Sequence, residues 1–312
     1  MQSGWRNFTS MQQKVKLTVF TPAYNRAHTL GRCYESMLKQ KCKDFKWLII
    51  DDGSTDNTKE LVDSWLNKDN GFEIIYKYKK NGGMHTAHNL HSAHNTAYEN
   101  IDTELNVCID SDDRLSENAI EKIIDFWNEN GSEKYAGIIG LDDDLDGNII
   151  GEKFLENLKE TTLSGYYRNG GKGDKKLVYR TSIMKQYPPY PVFEGERYVS
   201  LGYKYLLCDQ DYKLLVLNDV LCDVEYQLDG SSYNMLRQYY NNPKGFAFIR
   251  KIDMRYNKTW KENLKTCIHY VSSSLIAHNK HFIKESPKKG MTILAIPAGI
   301  LLTGYIKHNV RK

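Results

Sequence analysis

The chain reads as an α/β protein with a mainly parallel sheet flanked by helices and a mostly helical C-terminal extension. Three observations predict this. Short apolar runs alternate with helically spaced segments over residues 15–141, the pattern of a doubly wound sheet. Two runs, Lys46-Trp47-Leu48-Ile49-Ile50 and Leu105-Asn106-Val107-Cys108-Ile109, end in the acidic clusters Asp51-Asp52-Gly53-Ser54-Thr55-Asp56 and Asp110-Ser111-Asp112-Asp113. Carboxylates so placed lie at the carboxyl ends of strands, where such sheets bind ligands. From Asn234 onward helical spacing takes over.

Taken in order, Val15–Phe20 is the first strand, and Thr21-Pro22-Ala23-Tyr24-Asn25-Arg26 breaks it with a proline-containing loop. Leu30, Cys33, Tyr34, Met37 and Leu38 then recur at helical spacing. Trp47–Ile50 is the second strand, and Asp56-Asn57-Thr58 offers caps to a helix through Leu61, Val62 and Trp65. Phe72–Tyr78, Leu105–Ile109 and Ala136–Leu141 are strands, separated by helices over Met84–Tyr98 and from Ser116. Beyond Leu141, Asp142–Gly147 reads as an acidic turn and Ser164–Asp174 as a glycine-rich loop. Leu177–Arg180, Tyr212–Leu217 and Val220–Tyr226 read as further strands. The domain expectation is one domain over 1–230, with halves at about 15–141 and 142–230, and a helical extension over 231–312.

A net charge of +4 is too small to imply nucleic-acid binding. The six cysteines are scattered and suit reduced core thiols of a cytoplasmic protein. The N-terminus lacks the apolar stretch of a signal peptide. Met291–Ile306 is strongly apolar, with Lys288 and Lys289 before it and Lys307, His308, Arg311 and Lys312 after it. It is shorter than the roughly 20 residues that span a bilayer as a helix. The alternatives are an element lying in a membrane interface, which the flanking cations favour, and a helix packed on the protein's own core.

Asp110 and Asp112 can point oxygens at one divalent ion, a hard cation that often takes substrate phosphates as further ligands. Asp113 adds a third acid, and three acids so close must be solvated, hydrogen-bonded or metal-bound. His85, His88, His91 and His94 step around a helix and cannot converge on one ion. Asn81-Gly82-Gly83 precedes that helix, so its backbone can approach a phosphate or sugar. Glu194 and Glu196, after the proline-rich Tyr187–Pro191, are general-base candidates, as are Asp209 and Asp211.

Four blocks, Thr18–Arg26, Asp44–Thr58, Asn81–Asn89 and Cys108–Leu115, together resemble the family-2 glycosyltransferases with a GT-A fold, of the bacterial surface-polysaccharide type. The resemblance implies a Rossmann-like nucleotide-diphospho-sugar site formed by Thr21, Pro22, Ala23, Tyr24, Arg26, Asn81, Gly82, Gly83, Asp110 and Ser111. Tyr24 would stack on the base, and Asp52, or Asp51 beside it, would accept a hydrogen bond from uracil. Asp110 and Asp112 match the family's Asp-x-Asp element, holding ribose and a divalent metal, Mn²⁺ or Mg²⁺, with Asp113 nearby. Glu196 would be the base of an inverting transfer, although Glu-Gly-Glu stands where the family more often has Glu-Asp. Met84 stands where close relatives have a basic residue.

The expected activity is transfer of a hexose or acetamidohexose from a UDP-sugar to a glycan or lipid-linked saccharide. It would act in the cytoplasm at the inner face of the cell membrane, with no nucleic-acid partner. The alternatives are an inactive glycan-binding or scaffolding homologue and a sugar nucleotidyltransferase. Thr21–His28 lacks the glycine-rich, basic loop that a nucleotidyltransferase needs.

Overall fold

The computed structural model describes residues 15–79, 90–225 and 235–310. The first half alternates strictly: β1 (Leu17–Ala23), α1 (Leu30–Lys39), β2 (Phe45–Asp51), α2 (Thr58–Leu66), β3 (Glu73–Tyr78), α3 (Leu90–Asn100) and β4 (Leu105–Cys108). These strands lie parallel in the order β3-β2-β1-β4. Along β2, Phe45, Trp47 and Ile49 pack with α1 and α2, while Leu48 and Ile50 join the core on the opposite face. Burial on both faces is why the run is continuously apolar rather than alternating. Trp47 anchors the first face. It is fully buried, stacks on Trp65 at 5.7 Å between ring centroids, and donates its indole N–H to Thr21 Oγ1 at 2.9 Å.

β1 does not stop at Phe20 but runs through Pro22 to Ala23. The Phe20 carbonyl accepts from Ile109 on the β4 side, so Pro22, two residues on, turns its nitrogen the same way. The β1–β4 pairing has ended by then, at Phe20 opposite Cys108. The proline therefore costs no ladder bond.

The second half adds β5 (Arg114–Leu115), α4 (Ala119–Asn130), β6 (Tyr135–Asp144), β7 (Glu160–Thr161), α5 (Leu163–Arg168), β8 (Lys175–Arg180), α6 (Thr181–Met184), α7 (Gly202–Asp211) and β9 (Lys213–Val224). The sheet order is β3-β2-β1-β4-β8-β6-β9-β5, with β7 also on β9. β8 inserts antiparallel between β4 and β6, so the nine-stranded sheet is mixed beyond β4. Three local expectations are corrected. Asp142–Asp144 extends β6 instead of turning, because it pairs with Cys222–Val224. The glycine-rich stretch begins with α5, whose first backbone N–H groups are capped by Thr162 and by the distant Asp209. The two expected strands around Asn218-Asp219 form one strand, β9, which meets β6 through register shifts.

The chain ends in helices α8 (Met235–Asn241), α9 (Pro243–Tyr256), α10 (Trp260–Ile276), α11 (Phe282–Glu285) and α12 (Lys289–Val310). Thr259 and Glu262 form a capping box at the start of α10. Against α10 lies α12, where a side chain in place of Gly299 would come within 2.4 Å of Val271. In the segment expected to be either core-packed or interfacial, Thr292, Ala295, Gly299, Thr303 and Ile306 are buried, while Ile293, Leu294, Ile300, Leu301 and Tyr305 are exposed.

Replacing Trp47 with Ala removes the hub of the first core face. Urea denaturation is expected to show a loss of about 3–5 kcal/mol, with a loss below about 1 kcal/mol counting against that role.

Candidate active site

Three loops meet at the carboxyl ends of β1, β2 and β4. Asn25, in the left-handed region at φ 53°, turns the β1 loop back onto the β2 loop. Its N–H donates to Ser54 Oγ at 2.9 Å, and its Oδ1 accepts from the Thr55 N–H at 2.8 Å. The Arg26 N–H donates to Thr58 Oγ1 and the Ala27 N–H to Asp56 Oδ2. The stitching leaves Thr21, Pro22 and Ala23 buried and Tyr24 exposed at the rim.

Asp51 and Asp52, adjacent in sequence, play different parts. Asp51 is fully buried; its Oδ1 accepts from the Gly53 and Ser54 N–H groups at 3.0 and 2.7 Å, and its Oδ2 from the Tyr76 hydroxyl at 2.5 Å. It builds the turn, in which Gly53 has φ 87°. Asp52 faces the other way, with Lys79 Nζ 3.5 Å from its Oδ1. Of the two carboxylates expected as alternatives toward a base, Asp51 is therefore the structural one.

The β4 cluster divides similarly. A turn closes from the Asp113 N–H to the Asp110 carbonyl at 3.0 Å, leaving Asp110 exposed, Asp112 half-buried, and Ser111 and Asp113 buried. Burial and the charge of Asp110 push the Asp112 carboxyl upward, opposed by Arg26. Asp113, expected near the metal, accepts the Glu225 N–H at 3.2 Å and lies 3.9 Å from Lys176 Nζ. It pins the end of β9 to this loop. Burial pulls the Lys176 ammonium down, but Asp142, Asp113 and Asp110 outweigh that and hold it protonated.

Asp110 and Asp112 make an all-oxygen donor pair, as a Mg²⁺ or Mn²⁺ ion prefers. Among the described residues no group of three or more His, Cys, Asp or Glu side chains is placed to hold a metal. Two carboxylates fill only part of the oxygen shell of such an ion.

Sequence reasoning missed the basic and acidic residues delivered by the second half. Glu225 bonds Arg32 at 2.6 Å and Arg114 at 3.3 Å, and Lys176 bridges Asp113 and Asp142. The one signal was a lysine pair, Lys175-Lys176, opening an apolar strand. Asn81, Gly82, Gly83, Met84, His85 and His88 lie outside the described residues. Of the histidine series, His94 is buried in the core, edge-on to Phe20 at 5.1 Å.

The residue expected as catalytic base, Glu196, sits at the start of α9. It is buried, and its two carboxylate oxygens accept the Lys244 and Gly245 N–H groups at 2.8 and 2.7 Å. It caps α9 in place of the N-cap residue Asn242, whose side chain instead holds the Arg197 and Tyr198 N–H groups. Gly245 is required there, since a Cβ would lie 2.2 Å from the Tyr198 carbonyl. Asp209 is likewise engaged in capping α5, and Asp211 accepts the Tyr187 hydroxyl at 2.9 Å. Glu194 is exposed, and with Glu196, Tyr240, Lys244, His278 and Lys307 it lines a cleft of about 370 Å³.

Comparison with known proteins follows these elements. The glycosyltransferase GlyG of Streptococcus pneumoniae is 30% identical over 133 residues, 43% of this chain and 42% of GlyG. The poly(ribitol-phosphate) beta-N-acetylglucosaminyltransferase TarP of Staphylococcus aureus is 33% identical over 129 residues, 41% of this chain and 37% of TarP. The chain thus spans less than half the length of these curated relatives. The crystal structure of S. aureus TarS 1-349 in complex with UDP-GlcNAc superposes with a TM-score of 0.62 at 15% identity, covering 95% of this chain and 91% of that one. That likeness shows a common fold, with the mixed sheet and the helical C-terminal part. The profile of Glycosyl transferase family 2 matches residues 18–187. With more than half its length inside that match, this chain belongs to glycosyl transferase family 2.

Proposed function

We propose that this protein is an inverting, metal-dependent glycosyltransferase that moves a hexose or acetamidohexose from a UDP-sugar to a glycan or lipid-linked glycan in surface-polysaccharide synthesis, at the inner face of the cell membrane. The observation that carries the reading is the convergence of the Tyr24 rim, the Asp52 carboxylate and the Asp110–Asp112 pair at one end of the parallel strands. Tyr24 stacks on the uracil and Asp52 accepts its N–H. Arg26, already within electrostatic reach of Asp112, faces the diphosphate. When bound, a Mn²⁺ or Mg²⁺ ion held by Asp110 and Asp112 supplies charge neutralisation to the departing diphosphate. The complex of TarS with UDP-GlcNAc supports the choice of UDP, and a Pyrobaculum calidifontis mannosyltransferase solved with GDP-Man and Mn²⁺ supports a metal. Glu194 is the carboxylate we assign to deprotonating the acceptor hydroxyl, because it is exposed at the cleft whereas Glu196 is consumed in capping α9.

Calorimetric titration of UDP is expected to show binding that depends on Mn²⁺ and weakens by about tenfold or more in Asp112→Asn. UDP binding that ignores both the metal and the substitution would remove the metal-dependent reading.

For the base, Glu194→Gln is expected to lower transfer by about 10²–10⁴-fold with thermal stability unchanged. Glu196→Gln is expected to lower the melting temperature by loosening the start of α9. A fully stable but inactive Glu196→Gln enzyme would return the base role to Glu196.

A further inference from the structure

The C-terminal helix has one covered and one uncovered side. Its inner stripe is held against α10 and the segment before α12: Thr303 Oγ1 donates to Ser272 Oγ at 3.1 Å, and Thr292 shares a 2.7 Å hydrogen bond with Ser286. The outer stripe sets Ile293 and Leu294 beside Ile300 and Leu301, seven residues on, with Tyr305 four residues beyond Leu301. Leu294 and Leu301 are 73% and 76% exposed, and with Ile293, Ile300 and Tyr305 they form one contiguous apolar stripe. Charge marks the occupant. From Ser286 to Lys312 there is no Asp or Glu, while Lys288 and Lys289 stand at one end of the stripe and Lys307, His308, Arg311 and Lys312 at the other. A second copy of the chain laid along this face, parallel or antiparallel, would bring cations against cations. A surface of anionic headgroups meets both ends favourably.

We infer that α12 docks this protein in the plane of an anionic lipid bilayer, its outer stripe buried at the headgroup–acyl boundary. At 22 residues the helix is about 33 Å long, enough to cross a hydrocarbon core. Crossing would, however, strip it from α10, breaking the Thr303–Ser272 hydrogen bond and uncovering Val271. In-plane docking keeps the bundle intact. It also orients the site: Lys307, at the end of α12, forms part of the wall of the cleft that holds Glu194. Resting on the proposed transfer reaction, this places the acceptor side at the lipid surface, where a lipid-linked saccharide presents its hydroxyl.

The test is co-sedimentation of the full chain with vesicles of phosphatidylcholine alone or mixed with phosphatidylglycerol. Expected is binding at least about tenfold tighter to the anionic vesicles, weakened by salt and lost in Leu294→Glu/Leu301→Glu and in Lys288→Glu/Lys289→Glu. Absence of wild-type binding to anionic vesicles overturns the inference. So does unchanged binding by the leucine variant, or a wild-type dimer in sedimentation that this variant dissociates. UDP calorimetry on the same proteins separates the two readings: metal-dependent UDP binding without vesicle binding sinks the docking alone, and vesicle binding without UDP binding sinks the donor reading alone.

Discussion

Burial of β1 and β2 on both faces is the constraint on which the rest of this molecule depends. Helices cover the strands above and below, so no ligand can approach the sheet's faces, and only the strand ends remain open. Each fully buried large apolar side chain contributes roughly 1.5–3 kcal/mol, and Trp47, Leu48, Ile49 and Ile50 follow one another without a polar interruption. That investment in rigidity fixes where β1, β2 and β4 end. The loops that leave β1 and β2 are then joined by side chains of Asn25, Ser54, Asp56 and Thr58 acting on backbone N–H groups, while Asp51 holds the β2 turn.

The site carries more negative charge than its surroundings comfortably hold. Asp110, Asp112, Asp113 and Asp142 all act on one another or on Lys176, and burial pushes Asp142 up to about 6. Lys176 offsets part of this from within, and Arg26 offsets part from the open side. The division of labour is consistent: Asp113 and Asp142 hold Lys176 and the end of β9, whereas Asp110 stays exposed and Asp112 half-buried. An arrangement that concentrates carboxylates at an open edge is electrostatically suited to a cation arriving with its diphosphate.

Helix α9 connects the two parts of the fold. Its first turn is capped by Glu196, from the irregular segment after Pro191, and its body packs on α10, which carries α12. The carboxylates after Pro191 illustrate how neighbours in sequence diverge: Gly195, with φ 79°, reverses the chain so that Glu194 points outward and Glu196 inward.

By itself the sequence determined the strand–helix alternation up to Leu141, the acidic strand ends, and the family, because each is written in local periodicity and short contiguous motifs. The register of the second half was not legible, since β8 and β9 take their direction from partners far along the chain. Nor was the start of α5, which Asp209 caps from more than forty residues away. The resemblance already singled out Asp52 and the Asp110–Asp112 pair; only the tertiary structure decided what their neighbours do, Asp51 holding the β2 turn, Asp113 pinning the end of β9 and Glu196 capping α9. The physical reason is the same in all three. A carboxylate's role is set by which N–H, O–H or ammonium group lies within hydrogen-bonding or ion-pairing reach, and those donors come from elements that only folding brings together.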